Sequence, residues 1–526
     1  MNNRIARTFQ SIRLQSLSLP LTLKVGQMVQ GKVLKFLPQN RAFIQVGNQT
    51  VIADLKNALQ LNERYLFQVK QVTPQVHLQV VTAKPIRTEH DTIQQLLRKW
   101  GFKETDTRRE FLSLLIRHEA PMKEEVVKQA LQLLDTLPDK KRAPFALLEM
   151  VKREFPITKN VFDLVFQRMF KPISFSKTTE SLLHALQTNN VNHFEAQQLA
   201  QILSGLIQKG NVTYQQIGAQ IIHEVLQQSP VTFQLLQKAG FLPTTVTFSD
   251  WKEMWLSISK DIGKTTSQSN LMQLVSEKNL PLSFQTVEEF LVGMKKLWDN
   301  RHLLTKQEKA QLLKFLLQGL PMLEKQSLVP LKESIQIKLQ GFFSIVNADY
   351  SQANSVQDLL LNIVKESNQP IVQREGTSLL QIFQSIVLSK QEQMDWQQFS
   401  YQLPGALFGL KEDVWVDVEG KNGKDGQIGD QFVRIMFYLH MESLKETIVD
   451  MKVQKQLISL SIFHQHPERL MPIVHAIQPK LINQLKEKNY HISTIKVVPL
   501  HESESDVRDP YPTKPSLGRR GVDLQI

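Results

Sequence analysis

Apolar and polar residues alternate with a period of two at both ends of the chain and recur at three- and four-residue spacing between them. Near the N-terminus, VGQMVQGKVLKFL (25–37), RAFIQV (41–46), TVIADL (50–55), RYLFQVKQV (64–72) and VHLQVV (76–81) each read as a short strand. Turn residues separate them: Pro38-Gln39-Asn40, Gly47-Asn48 and Pro74. Gly47-Asn48 between two apolar runs predicts a tight hairpin. Five antiparallel strands in about 60 residues predict a small closed barrel of OB-like type over 21–84.

Residues 88–394 predict a long all-α middle, a bundle or array of helices broken by Pro, Gly or Asn. It contains a quasi-repeat. The run from Ile116 through Pro121 to Val126 lies 35 residues before the run from Val151 through Pro156 to Val161. A partial third copy surrounds Pro281. The residue before proline is driven out of the helical region, so the first helix stops there. Thr158 and Ser283 are then placed to cap the following helix. A 35-residue helical period raises the tetratricopeptide and pentatricopeptide classes. The Trp-Leu-Gly signature is missing, so an irregular array with apolar core positions is expected.

Alternation returns near Trp396. Gln398–Pro404, Asp413–Val418, Gln431–Leu439, Thr447–Val453 and Leu457–Phe463 read as strands. A helix follows over 467–488, opened by Pro467 and striped by Leu470, Ile473, Val474, Ile477, Leu481 and Leu485. Asn489 fits a left-handed cap and His491–Val498 a last strand. The expected unit is an α+β domain over 395–500, followed by a flexible tail, 501–526, carrying Pro510, Pro512 and Pro515. Together the three patterns make a multidomain chain.

Composition narrows the chemistry. There is no cysteine, which removes disulfides, thiolate metal sites and cysteine nucleophiles. No apolar run approaches the ~18 residues of a membrane span. The 57 glutamines are scattered. Of the net charge of +13, residues 1–100 carry +10, and the first acidic residue is Asp54. The basic leader, 1–20, has Arg4, Arg7 and Arg13, no acid and no apolar secretory core. It resembles organellar transit peptides and also the leaders of type III secretion substrates.

A basic end attracts polyanions. Within 41–46, Arg41 and Phe43 fall on the outward face, where a base could stack on the ring. This gives RNA binding through Arg41 and Phe43 as an alternative function, and the strand pattern resembles an RNA-binding barrel found in a ribosomal protein. Tyr65 and Phe67 fall on the core side.

Nothing local points to catalysis, and no catalytic, cofactor-binding or metal-binding residue is assigned. The glycines of Lys421–Gly429 lack the Gly-Lys-Ser/Thr ending of a phosphate loop and the carboxylate ladder of a calcium loop. His464 and His466 fall at a strand end with no further ligand in reach of the sequence.

Leu439-His440-Met441-Glu442-Ser443-Leu444-Lys445, with the following strands and Leu-rich helix, resembles the C-terminal domain of flagellar hook-length control proteins. These are the substrate-specificity switches of type III export. Their pattern is Leu-x-Leu-x-Pro-x-x-Leu-Gly. Leu439, Glu442 and Leu444 agree with it, whereas Met441 stands where proline is usual and Lys445 where glycine is usual. The Pro-flanked repeats and the ending Gly521–Ile526 resemble long Firmicute-type members. The resemblance implies a cytoplasmic, bacterial, non-enzymatic protein acting by protein–protein interaction. Its partner would be an export-gate switch protein, contacted through Leu439, His440, Glu442 and Leu444. It is compatible with export of the chain through a type III apparatus. The apolar helical middle departs from the loosely folded ruler of better-known members.

Overall fold

The computed structural model describes residues 25–38, 41–46, 49–54, 59–72, 76–81, 85, 88–118, 120, 122–188, 194–207, 212–262, 283–346, 355–393, 396–423 and 428–499. The basic leader, Gly47-Asn48, the partial repeat around Pro281 and the tail lie outside the described residues. The chain divides into two compact units. One takes in the described residues up to Pro172; the other takes in those from Ile173 onward.

In the first unit, β1 (Met28–Leu37), β2 (Arg41–Val46), β3 (Gln49–Asp54), β4 (Arg64–Gln71) and β5 (His77–Val80) form an antiparallel sheet in the order β3-β2-β1-β4-β5. The alternation works as expected: Val33, Ala42, Ile44, Tyr65, Phe67 and Val69 are buried together. The expected barrel is not closed. The edge strands β3 and β5 come near one another but share no ladder. The physical reason is length: β5 offers four residues, too short an edge to complete the hydrogen-bonded ring that closure requires.

Five helices follow among the described residues of this unit: α1 (Glu89–Trp100), α2 (Asp106–Arg117), α3 (Glu124–Thr136), α4 (Ala143–Lys152) and α5 (Lys159–Phe170). The 35-residue repeat is visible in the backbone. Ala120 N–H donates to Leu115 O at 2.9 Å, and Phe155 N–H to Met150 O at 2.8 Å. Ala120 and Phe155 are both buried, so each helix end is pinned by the small or apolar residue before the proline. Thr158 caps α5, accepting from Val161 N–H. Gln68 Nε2 donates to Met122 O at 3.0 Å and so ties the sheet to the α2–α3 connection.

Among the described residues the second unit starts with ten helices: α6 (Phe175–Thr188), α7 (Phe194–Leu206), α8 (Tyr214–Leu226), α9 (Val231–Lys238), α10 (Phe248–Ile262), α11 (Val287–Asp299), α12 (Lys306–Lys325), α13 (Leu331–Val346), α14 (Val356–Glu366) and α15 (Pro370–Ser389). Ser283 does not cap α11 as expected. Thr286 does, because it alone sits at the extended N-cap position, accepting from Glu289 N–H at 3.1 Å. Ser283 Oγ donates instead to Gly240 O.

A seven-stranded sheet follows: β6 (Gln391–Gln393), β7 (Trp396–Leu403), β8 (Val414–Asn422), β9 (Ile428–Met441), β10 (Lys445–Gln454), β11 (Leu457–His464) and β12 (His491–Pro499), in the order β12-β11-β10-β9-β8-β7-β6. Every pair is antiparallel except β11–β12, which is parallel and joined by α16 (Pro467–Lys486). One sheet face shares the helical core. Leu403, Val414 and Val416 are buried in it, and Tyr401 meets Phe343 with ring centroids 4.9 Å apart. Each such buried side chain contributes about 1.5–3 kcal/mol of transfer free energy.

Helix α16 departs from the expected stripe. Leu470 and Val474 are buried, Leu481 and Leu485 half-buried, and Ile473 and Ile477 exposed. The helix lies mainly over β12, the outermost strand, so only one ridge of its apolar face finds the sheet. Asn489 has the left-handed φ of 61° expected of a cap.

Candidate partner-binding site

The Leu439–Lys445 segment forms one object, the hairpin joining β9 to β10. Leu439 is the last of its residues directed into the helical core, against which it packs half-buried. His440 pairs in register with Glu446, and its Nδ1 is buried without a hydrogen-bond partner. Glu442 and Ser443 are exposed at the tip. Lys445 re-enters the sheet with φ of 59°, a left-handed conformation in which a side chain crowds the backbone. Glycine adopts it without that cost.

Two contacts brace the tip. His464, buried at the end of β11, shares a hydrogen bond between its Nε2 and Leu444 O at 2.6 Å. Its Nδ1 accepts from His466 N–H at 2.9 Å, so Nε2 carries the proton and donates to Leu444. The two histidines thus organise a turn rather than chelate. Among the described residues no group of three His, Cys, Asp or Glu could hold a metal ion. Lys411 Nζ donates to Glu442 Oε1 from the β7–β8 connection. That hydrogen bond and charge hold the Glu442 carboxyl below the usual carboxylate range. Both side chains are exposed, so the pair orients the tip with little effect on stability.

Behind the hairpin, one sheet face is polar. Arg434 Nε and Nη2 donate to the two Asp450 oxygens at 2.8 and 2.9 Å, a bidentate pair on a nearly buried carboxylate. Ser400 Oγ donates to Asp417 Oδ1 at 2.5 Å. Burial pushes the Glu419 carboxyl up, with Arg434 opposing it, and burial raises the Tyr438 hydroxyl well above its ordinary range. These groups are committed to one another across adjacent strands.

At the other end of the chain, Arg41 and Phe43 both lie half-buried on the outward row of β2. Phe43 stands between Lys35 and Ile52 in register, and Arg41 between Leu37 and Asp54. Arg41 Nε donates to Pro38 O at 3.4 Å. Tyr65 and Phe67 are core, as expected.

Sequence reasoning brought Leu439, His440, Glu442 and Leu444 to one hairpin but missed Lys411 and His464. His464 was visible as a strand-end histidine; Lys411, 31 residues before Glu442, left no local signal.

The architecture is that of a multidomain α-and-β protein with an N-terminal antiparallel sheet, a helical middle and a C-terminal mixed sheet. No helix among the described residues is long and apolar enough to cross a membrane. No protein-family profile matches the chain, and no solved structure matches it. It is 24% identical over 553 residues to a Bacillus subtilis (strain 168) protein described as uncharacterized protein YlqG. The match covers 95% of this chain and 94% of that protein. The similarity therefore runs through all three parts.

Proposed function

We propose that this is a non-enzymatic cytoplasmic protein of the hook-length-control type. In this reading it binds an export-gate component of a type III apparatus and influences which substrates are exported. The observation that carries it is the β9–β10 hairpin. Its exposed tip holds Glu442, its flanks hold Leu439 and Leu444, and Lys445 takes a left-handed φ of 59° where the resembled pattern has glycine. A position that demands that conformation gives the motif a physical reason to end in glycine.

In this reading His440 and Glu442 present polar contacts, while Leu439 and Leu444 set the hairpin's place. Because the sheet shares its core with the helices, the test uses the full chain. It should co-purify with the soluble domain of the gate protein. Glu442→Ala with His440→Ala should weaken that association at least tenfold at unchanged melting temperature. No association of the folded parent chain at high micromolar gate protein would sink the reading.

A second reading has its own observation, the outward Lys35–Phe43–Ile52 row beside Arg41 in a strongly basic N-terminal segment. In this reading the sheet binds single-stranded RNA by stacking on Phe43. Affinity should then fall steeply with salt, and Phe43→Ala should weaken RNA but not heparin binding. Equal affinity for RNA and heparin would reduce it to nonspecific charge.

A further inference from the structure

Helix α15 is 20 residues long and starts without a cap: Gln369, at the N-cap position, makes no side-chain bond to the first turn. Pro370 follows and has no N–H to satisfy. The next two N–H groups, those of Ile371 and Val372, have no acceptor among the described residues. Such an end carries the positive pole of the helix and favours an anion. Ile371 and Arg374, one turn apart, line a cavity of about 740 Å³ whose other walls come from α6 and α7. Small-molecule sites fall at about 300–1,000 Å³.

The cavity wall has two chemistries. Leu183, Ile207 and Ile371 are apolar. Ser204 also lines it; this residue is 7% exposed, and its hydroxyl has no hydrogen-bond partner among the described residues. Burying a hydroxyl unpaired costs free energy, so a partner inside the cavity would relieve it. Arg374 Nε and Nη2 donate to Glu375 Oε1 at 2.9 and 2.7 Å, which fixes the guanidinium and leaves Nη1. Glu180, the one acid in this wall, is engaged in an interaction of its own.

We propose that this cavity binds a small carboxylate with an apolar body. The carboxylate stands where a capping side chain would stand, accepting from the first-turn N–H groups of α15 and from Arg374 Nη1. Ser204 supplies a further donor, and the apolar body lies along Leu183, Ile207 and Ile371. A bare anion would leave that apolar wall uncovered, and a neutral apolar molecule would leave the helix end unpaired.

The test is calorimetric titration of the full chain with hexanoate, with 1-hexanol, which has the chain without the charge, and with inorganic phosphate, which has the charge without the chain. Hexanoate should bind with a Kd of about 1 mM or lower, and the other two at least about tenfold more weakly. Gln369→Asp offers the same N–H groups a carboxylate of the protein's own. It should weaken hexanoate about tenfold without lowering the melting temperature, because it also caps the helix. Arg374→Gln and Ser204→Ala should each weaken hexanoate severalfold. No hexanoate binding at about 10 mM overturns the proposal, as does 1-hexanol or phosphate binding as tightly as hexanoate. Parent affinity in a folded Gln369→Asp chain overturns it too, since the helix end would then not be the anion's seat.

Discussion

Helices α7 and α12 meet at Gly205, and the contact is with backbone rather than side chain. A Cβ built at Gly205 would lie 1.8 Å from Leu317 O and 2.6 Å from Leu317 C. The cause is four residues downstream. Pro321 sits inside α12 and has no N–H to give to the Leu317 carbonyl, and its ring crowds that carbonyl. Gly205 is where the neighbouring helix leaves room for that carbonyl. Gly205→Ala therefore sets two effects against each other. Helix propensity favours alanine by about 1 kcal/mol. A C···O contact needs about 3.3 Å, so the helices must separate by roughly 1.5 Å. Leu203, Leu206, Leu316 and Leu320 are fully buried around this crossing. Gaps of 0.5–1 Å already forfeit about a quarter to a half of each dispersion contact. Overpacking of this kind costs about 1–3 kcal/mol, and more where backbone cannot rotate away. The net expectation is a loss of about 2–4 kcal/mol. Urea unfolding followed by tryptophan fluorescence reads it, since Trp251, Trp255 and Trp298 are buried in the same unit. Pro321→Ala should return a donor to Leu317 and recover part of the loss in the double variant. A Gly205→Ala chain as stable as the parent, or a double variant additive within about 0.5 kcal/mol, would refute the reasoning.

Asp413→Ala should cost about 3 kcal/mol, because the carboxylate accepts from Phe175 N–H at 2.6 Å, Ser176 N–H at 3.1 Å and Gln402 Nε2 at 2.9 Å. Hydrogen exchange should rise first at the start of α6, and unchanged protection there would count against the cap. Lys445→Gly should raise stability by about 1 kcal/mol by relieving the left-handed backbone; a fall in melting temperature would contradict it. Burial opposes ionisation of Glu149, but Lys152 at 3.0 Å and Arg153 at 3.1 Å outweigh it and hold the carboxyl below its usual range. A depressed folded value contributes stability above the unfolded pKa and loses it as pH falls through the folded one. Glu149→Gln should therefore flatten the loss of stability below about pH 4 in acid titrations. Parallel acid limbs for parent and variant would show that Glu149 carries none of it.

What the sequence disclosed was set by local physics. The strands from Trp396 onward, the left-handed Asn489 and the Thr158 cap each depend on a few neighbouring residues, and each stands where the pattern placed it. The 35-residue repeat was legible for the same reason, since it is a helix stop and a helix start in fixed succession. Barrel closure was not legible. It depends on whether the edge of β5 is long enough to meet β3, and alternation is silent about that. The Asp413 cap joins residues 238 apart, and the Gly205–Leu317 contact joins two helices through a backbone carbonyl. Neither pairing leaves a periodic trace in the sequence.

The hairpin shows how far a motif reaches. Its residues fall together because they are contiguous, and Lys445 carries the conformation that the glycine of the resembled pattern would relax. The parts that brace it come from elsewhere: His464 from β11, through Leu444 O, and Lys411 from the β7–β8 connection. These two act differently. The His464 bond is part-buried, so its loss leaves a carbonyl without this partner and should loosen the turn. The Lys411–Glu442 pair is exposed, so a partner offering a cation could replace Lys411 at small cost. A tip held rigid from beneath, with an exchangeable charge above, leaves Glu442 free to change partners without the turn changing shape.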